Sequence, residues 1–354
     1  MAQHVSQSKA YRNLTLSQIM GLTEEEAREM FTIHRWGSTT LVPCPECGAR
    51  DQHYWRRTRH QWSCKHCSRV FSVTTGTPFE GRRLSFKNLV ALSYLYASSP
   101  KGLSANWIAS QIGVTFRTAF QNLGKIREAI FQTQDLNPLT GVVHVDGGHF
   151  CGKPRRPRRR TKMTSTIANN ILRNRKASIQ PPKRGVTIEP WNQEKLKKRR
   201  IVIAMREATL SGRTIIAIVA AETQKHVIPV IRKCVASGTT IQSDDGGAYS
   251  PLSTWYNHQV VRHSEEYCTD DGVNNNYAEG FFSRMRRAEY GVYHGMRPQY
   301  LAFYAAEFAW RETVRKLGLQ EKFSDLLKKV LSCDISRAWR GYAQGRRLGF
   351  EYLG

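Results

Sequence analysis

The 354-residue chain carries 54 Lys and Arg against 28 Asp and Glu, a formal net charge of +26 with a pI near 10.1. Solubility alone does not require so large an excess, which points to a polyanionic partner, nucleic acid first. No run of about 18 apolar residues and no basic amphipathic helix with a lipidation motif is present, which excludes a membrane-spanning or membrane-anchored protein and leaves a soluble intracellular one. A hydrophobic share of 40% supports one large core with one or two small modules.

Residues 1–40 read as a helical lead-in: Ser17 or Thr23 is placed to cap a turn, and LTEEEAREMF carries acids early with apolar positions at helical spacing. A zinc ribbon is expected over residues 41–80. Cys44 and Cys47 (CPEC) and Cys64 and Cys67 (CKHC) form two Cys-x-x-Cys pairs separated by 16 residues. Each pair makes a knuckle that aims two thiolates at one ion, and four complete the tetrahedron of a structural Zn2+. With no secretion signal, disulfides are not expected. Cys151, Cys234, Cys268 and Cys333 are scattered without ligand spacing. Between the knuckles, HYWRRTRHQWSC alternates aromatic and basic residues as a short exposed strand pair does, and its aromatics either meet a partner or shield the metal. RVFSVTTGTPFEG then reads as a last strand and turn.

Over residues 84–135 the pattern turns helical. FKNLVALSYLYASS is apolar at three- and four-residue spacing, and LSANWIASQIGVTFRTAFQNLGKIREAI has the layout of a helix-turn-helix DNA-binding domain, with Ser104 and Thr115 as caps and Gly113 at the turn. Its second helix would offer Arg117, Thr118, Gln121 and Asn122 to a major groove; a plain helical hairpin is the alternative.

GVVHVDGGHF is a β-branched run ending at Asp146 and two glycines, a frequent way to hold a metal ligand at the end of a strand. Residues 153–200 follow with 17 Lys or Arg against two Glu. Including PRRPRRR (Arg155, Arg156, Arg158, Arg159, Arg160) and KLKKRR, this insertion has too little apolar periodicity for a core and is expected to order on a phosphate backbone. RRIVIAMREAT and RTIIAIVAAET form a hairpin across the turn LSG, a helix spans His226 to Ala236, and TTIQSDDGGAYSPL repeats the pattern of a strand ending at acids, with Asp244 the expected ligand and Asp245 its alternative. NNNYAEGFFSRMRRAEYGVYHGM is helical from about Tyr277 and places Glu279, Ser283, Arg286 and Arg287 within two turns. The last 55 residues, including a C-terminal tail over 316–354, are expected to be mostly helix.

Asp146, Asp244 and Glu279, delivered by two strands and a helix, match in order an α/β RNase H-like core over residues 140–315. Such acids bind two Mg2+ ions, which activate a water or 3′ hydroxyl and stabilise the leaving oxygen in phosphodiester displacement. Asp270 and Asp271, beside Gly272, read as turn formers.

From about Leu41 to Trp310 the chain resembles bacterial insertion-sequence transposases of the DDE class with an N-terminal zinc ribbon and an ISXO-type catalytic domain. The resemblance rests on CPECG with CKHC, VHVDGGHFCGK, IQSDDGGAY, VRHSEEY and NNNYAEGFFSRMRR. It implies a polynucleotidyl transferase with structural Zn2+ and catalytic Mg2+ or Mn2+. The first acid precedes a Gly-Lys turn, the second lies five residues before a tyrosine, and the third opens a helix with a basic residue seven positions on; Asp146, Asp244 with Tyr249, and Glu279 with Arg286 fit. Three departures stand out: Gly147 replaces the acid that usually follows the first Asp, Arg286 replaces the commoner Lys, and the basic insertion is unusually long. His263 and Glu266 fall in a site-proximal strand and loop, Asn276 is a possible additional contributor, and Arg286 and Arg287 are expected to contact phosphates. The family also implies a homodimer or higher assembly on double-stranded DNA, at terminal repeats and target, in the bacterial cytoplasm and associated with the nucleoid. A non-catalytic regulator derived from a transposase, and a nuclease without strand transfer, are the alternatives.

Overall fold

In the computed structural model, residues 8–151, 198–261 and 273–354 are described. The described chain opens with helices α1 (Leu16–Gly21) and α2 (Glu24–Trp36). Thr23 caps α2 through a reciprocal bond with Glu26, whereas α1 is capped by Thr15 rather than Ser17. Strands β1 (His53–Arg56), β2 (Gln61–Cys64) and β3 (Val70–Phe71) make a three-stranded antiparallel ribbon. It is not free-standing. Trp62 stacks on Phe71 and meets Trp36 of α2 edge-on, and the Arg28 guanidinium of α2 lies 4.5 Å from the centre of the Trp55 ring. The ribbon aromatics therefore serve chiefly to dock the module on α2.

Three helices follow: α3 (Phe86–Ser98), α4 (Ala105–Gln111) and α5 (Phe116–Gln132). Thr115 accepts from the Thr118 N–H at the start of α5, and Gly113 takes a left-handed φ of +66° at the turn. Ser104 precedes α4 but makes no side-chain cap bond. The second half of α5 is buried from Leu123 to Ile130.

The second core is a five-stranded mixed sheet of β4 (Val142–Phe150), β5 (Arg200–Glu207), β6 (Thr214–Val219), β7 (Thr240–Asp244) and β8 (Asn257–Val261), in the order β6-β5-β4-β7-β8. β5 runs antiparallel to both neighbours, and β4, β7 and β8 are parallel, the arrangement of an RNase H-like core. On one face Val143, Val145, Ile203 and Met205 pack with α6 (Gln224–Cys234). On the other, Phe150, Val202 and Ala204 pack with α7 (Asn276–Ala288) and α8 (Leu301–Thr313). The period-two alternation of β4 thus feeds two separate cores.

Two expectations need correction. β4 does not stop at Asp146: it continues through Gly147 and Gly148 to Phe150, paired with β5 throughout. The glycines are spacers instead, since a Cβ at Gly148 would lie 2.3 Å from the Phe282 ring of α7 and one at Gly147 would lie 2.1 Å from the Glu222 carboxylate. The C-terminal tail is only partly helical: α9 (Leu319–Ser332) ends the long helices, and beyond it only a short turn at Tyr342–Gln344 is helical. This stretch is held by packing, with Trp339 buried against Tyr300, Phe120 and Gly124.

α5 is tied to the sheet domain by buried charge. Arg127 Nε donates to Glu307 of α8 at 2.6 Å, Arg311 binds the same carboxylate at 2.7 Å, and the Tyr293 hydroxyl donates to it. Both cations hold Glu307 ionised despite complete burial, which alone would push its proton affinity the other way. Among the described residues no helix is long and apolar enough to cross a membrane.

Candidate active site

Asp146 shares the strand parity of Phe150 and pairs with Ala204, so its side chain emerges on the α7 face. β7 lies beside it in parallel, and one step beyond the Val145–Ser243 pair the register sets Asp244 next to Asp146. Burial first and the Asp244 charge second raise the Asp146 carboxyl from 3.8 to about 7; Glu222 adds to this, while the Gly147 N–H (2.7 Å) and Arg286 oppose it. At the end of β7 the chain turns through Gly246, whose N–H donates to Asp244 Oδ1 at 3.2 Å. Asp245 is exposed whereas Asp244 is partly buried, which favours Asp244 as the inward acid.

Glu279 lies in the first turn of α7. The start of that helix is fixed to the first acid's strand: Asn275 donates to the Val145 carbonyl at 3.2 Å, and the Tyr277 N–H meets Nδ1 of buried His144 at 3.4 Å. Burial lowers His144 to about 4, so it stays neutral and able to accept. Further along, Arg284 is held by Glu312 of α8, which also pairs with Arg206 of β5 at 3.3 Å. Arg286 packs on Phe282, and its positive charge acts to lower Asp146 and His149.

Sequence reading missed Glu222. It follows β6, outside any strand or helix, yet its carboxylate reaches the acids from the α6 side of the sheet. Tyr249 donates to Oε1 at 2.8 Å and His149 Nε2 lies 3.2 Å from Oε2. Burial and this carboxylate together raise the Tyr249 hydroxyl far above its ordinary range, so it remains a donor. The bare Gly147 was the available signal: a residue with no side chain follows Asp146, and the Glu222 carboxylate occupies the space a Cβ there would take.

The four ribbon cysteines bring their sulfurs within 4.8 Å of one another, with Cys44–Cys67 and Cys47–Cys64 both at 3.6 Å. A tetrahedral zinc thiolate with Zn–S bonds of about 2.3 Å needs sulfurs about 3.8 Å apart, so the set fits a structural Zn2+. The backbone N–H of Cys67 leads in drawing the Cys64 thiol down to about 6. Among the described residues this is the only group of three or more His, Cys, Asp or Glu closed so tightly; the carboxylates stand farther apart. Cys151, Cys234 and Cys333 are free thiols.

On α5, Arg117 is exposed, but Gln121 donates to the Trp339 carbonyl at 2.9 Å and Asn122 to the Thr118 carbonyl at 2.8 Å. Asn276 is exposed at the start of α7. Arg155, Arg156, Arg158, Arg159 and Arg160, with most of the 153–200 insertion, lie outside the described residues, as do His263, Glu266, Cys268, Asp270 and Asp271.

Compared with models of known protein families, residues 138–313 match the ISXO2-like transposase domain and residues 22–70 match the transposase zinc-ribbon domain. No curated protein matches the chain.

Proposed function

Because the chain belongs to the insertion-sequence transposases that join a zinc ribbon to an ISXO2-like domain, we propose that it binds element ends and cuts and joins DNA using Asp146, Asp244 and Glu279. The observation that carries this reading is the parallel register of β4 and β7, which one step past the Val145–Ser243 pair sets Asp244 beside Asp146, on the face of the helix that bears Glu279. Half-buried carboxylates that feel one another's charge, with one nearby guanidinium, are the hard oxygen donors that suit Mg2+ or Mn2+. Two such ions, when bound, supply an activated nucleophile and a stabilised leaving oxygen.

The chain's own residues provide the frame. His144 and Asn275 fix α7 to β4, which sets where Glu279 stands relative to Asp146. Tyr249 and Glu222 brace the turn that carries Asp244. Arg286 is positioned to meet a phosphate oxygen beside the acids. In this reading the zinc ribbon and the α4–α5 unit recognise the terminal repeats, the 153–200 segment grips the backbone through its charge, and two or more copies act together on paired ends.

Cleavage of end-labelled element DNA tests the proposal. Wild type should nick at the element boundary only with Mg2+ or Mn2+. Asp146→Ala, Asp244→Ala and Glu279→Ala should each abolish nicking while leaving DNA binding intact. Nicking by any one of the three variants would sink the assignment of that acid.

A further inference from the structure

A cavity of about 560 Å³ lies where the end of α3, the loop after it, and the α8–α9 connection meet the flank of α7. Its charge is unbalanced. Arg284 is answered by Glu312, and Arg311 by Glu307. Lys101, Arg287, Arg315, Lys316 and Lys322 also line it and have no carboxylate in ion-pair reach among the described residues. Lys322 is the clearest case. It is 7% exposed; among the described residues its ammonium donates to the Tyr11 hydroxyl and the Arg315 carbonyl, both at 3.3 Å, lies 4.6 Å from the centre of the Tyr11 ring, and meets no carboxylate. Burial and the positive charges of Arg311 and Arg315 hold it down to about 8. Like charges gathered in a concave, partly desolvated wall cost free energy that an incoming anion offsets.

Position identifies the anion. Arg287 lies eight residues after Glu279 on α7, about 12 Å along the helix at 1.5 Å per residue. That distance spans about three to four nucleotides at 3.4 Å per step. Arg286, one residue earlier, does not line the cavity and lies near enough to lower the Asp146 carboxyl, so neighbouring arginines of α7 serve the acidic site and the cavity. Five cations from four elements, none with a carboxylate in ion-pair reach among the described residues, suit a run of successive phosphates better than a single small anion.

We propose that this cavity is a phosphodiester-binding site that holds a DNA strand three to four nucleotides from the bond being cut. The proposal rests on the transposase reading, and its test does not need catalysis. Full-length, zinc-loaded protein is titrated onto fluorescein-labelled element-end duplex without divalent cations, over a series of salt concentrations. A Lys101→Ala/Arg315→Ala/Lys316→Ala variant is compared with a Lys225→Ala/Lys233→Ala/Lys328→Ala control, thermal midpoints confirming that both fold. The slope of log affinity against log salt should fall by about 2 to 3 in the cavity variant, at about 0.9 per lost phosphate contact, and by less than about 1 in the control.

An unchanged slope in the cavity variant overturns the proposal, as does an equal fall in both, which would report bulk charge alone. So does protection by inorganic tripolyphosphate, seen as a thermal shift that the cavity variant loses, if the DNA slope stays the same; the cavity would then take a free polyphosphate. Binding with the expected slopes but no cutting in Mg2+ would count against the catalytic reading and leave the cavity assignment standing.

Discussion

Replacing Asp146 with asparagine should make the divalent-free protein more stable while removing a residue on which the proposed chemistry depends. Burial, then the charge of Asp244, raise the carboxyl from 3.8 to about 7. At about 1.4 kcal/mol per unit, a rise of about three units corresponds to about 4 kcal/mol, and water reaching a half-buried site reduces this to about 2 to 4. The folded protein binds this proton more tightly than the unfolded chain. The stability it contributes is therefore complete below the unfolded value of 3.8 and is lost as pH rises through about 7. Asparagine has the same shape and no charge, so it escapes that loss. Urea denaturation from about pH 5 to about pH 8 should show the variant's advantage widening by up to about 1.4 kcal/mol per pH unit and levelling above neutrality. Adding Mg2+ near pH 8 should then stabilise wild type and not the variant. An advantage independent of pH would refute the crowding of carboxylates, and an equal Mg2+ effect in both proteins would refute Asp146 as a ligand.

Gly147→Ala should cost about 1 to 3 kcal/mol, because its Cβ displaces the Glu222 carboxylate from Tyr249; in a double-mutant cycle with Glu222→Ala the two losses should not add, and strict additivity would place Glu222 away from Gly147. Cys64→Ser should release zinc, measured by a colorimetric chelator, and change the fluorescence of the Trp36–Trp55–Trp62 cluster while the sheet domain melts as before; retained zinc would contradict the four-thiolate site. Glu307→Gln leaves Arg127 and Arg311 buried without their counter-charge and should destabilise the fold by about 3 to 5 kcal/mol in urea denaturation; a loss below about 1 kcal/mol would mean water reaches the network.

The parts of the fold legible in the sequence were those governed by local spacing. Cysteine knuckles, the hairpin across LSG and the apolar stripe of α3 each depend on residues close in the chain, and the order of the three acids came with their strand and helix patterns. Long-range packing was harder to read. The two glycines after Asp146 resembled a turn because local propensity cannot show that Phe282, more than a hundred residues later, needs the space beside Gly148. Glu222 sits in an irregular stretch and joins the acids only through the sheet's tertiary arrangement, so the sequence offered no more than the bare Gly147 as a hint of it. The end of the chain lacks helical periodicity after Ser332, yet it is ordered by Trp339, whose ring fills the space left by Gly124 on α5. The Trp339 carbonyl in turn engages Gln121, which its position on an amphipathic helix had marked for a DNA groove.

Strand transfer is the step that separates a transposase from a nuclease or a DNA-binding regulator with the same fold. Pre-cleaved element-end duplex, wild-type protein and supercoiled target plasmid are incubated with Mg2+ or Mn2+, and covalent joining of the labelled end to the plasmid is measured. Wild type should join ends, and Asp146→Ala, Asp244→Ala and Glu279→Ala should bind the same duplex and join none. Joining that survives loss of any one of these acids, or binding by wild type with no joined product, would contradict the proposed mechanism.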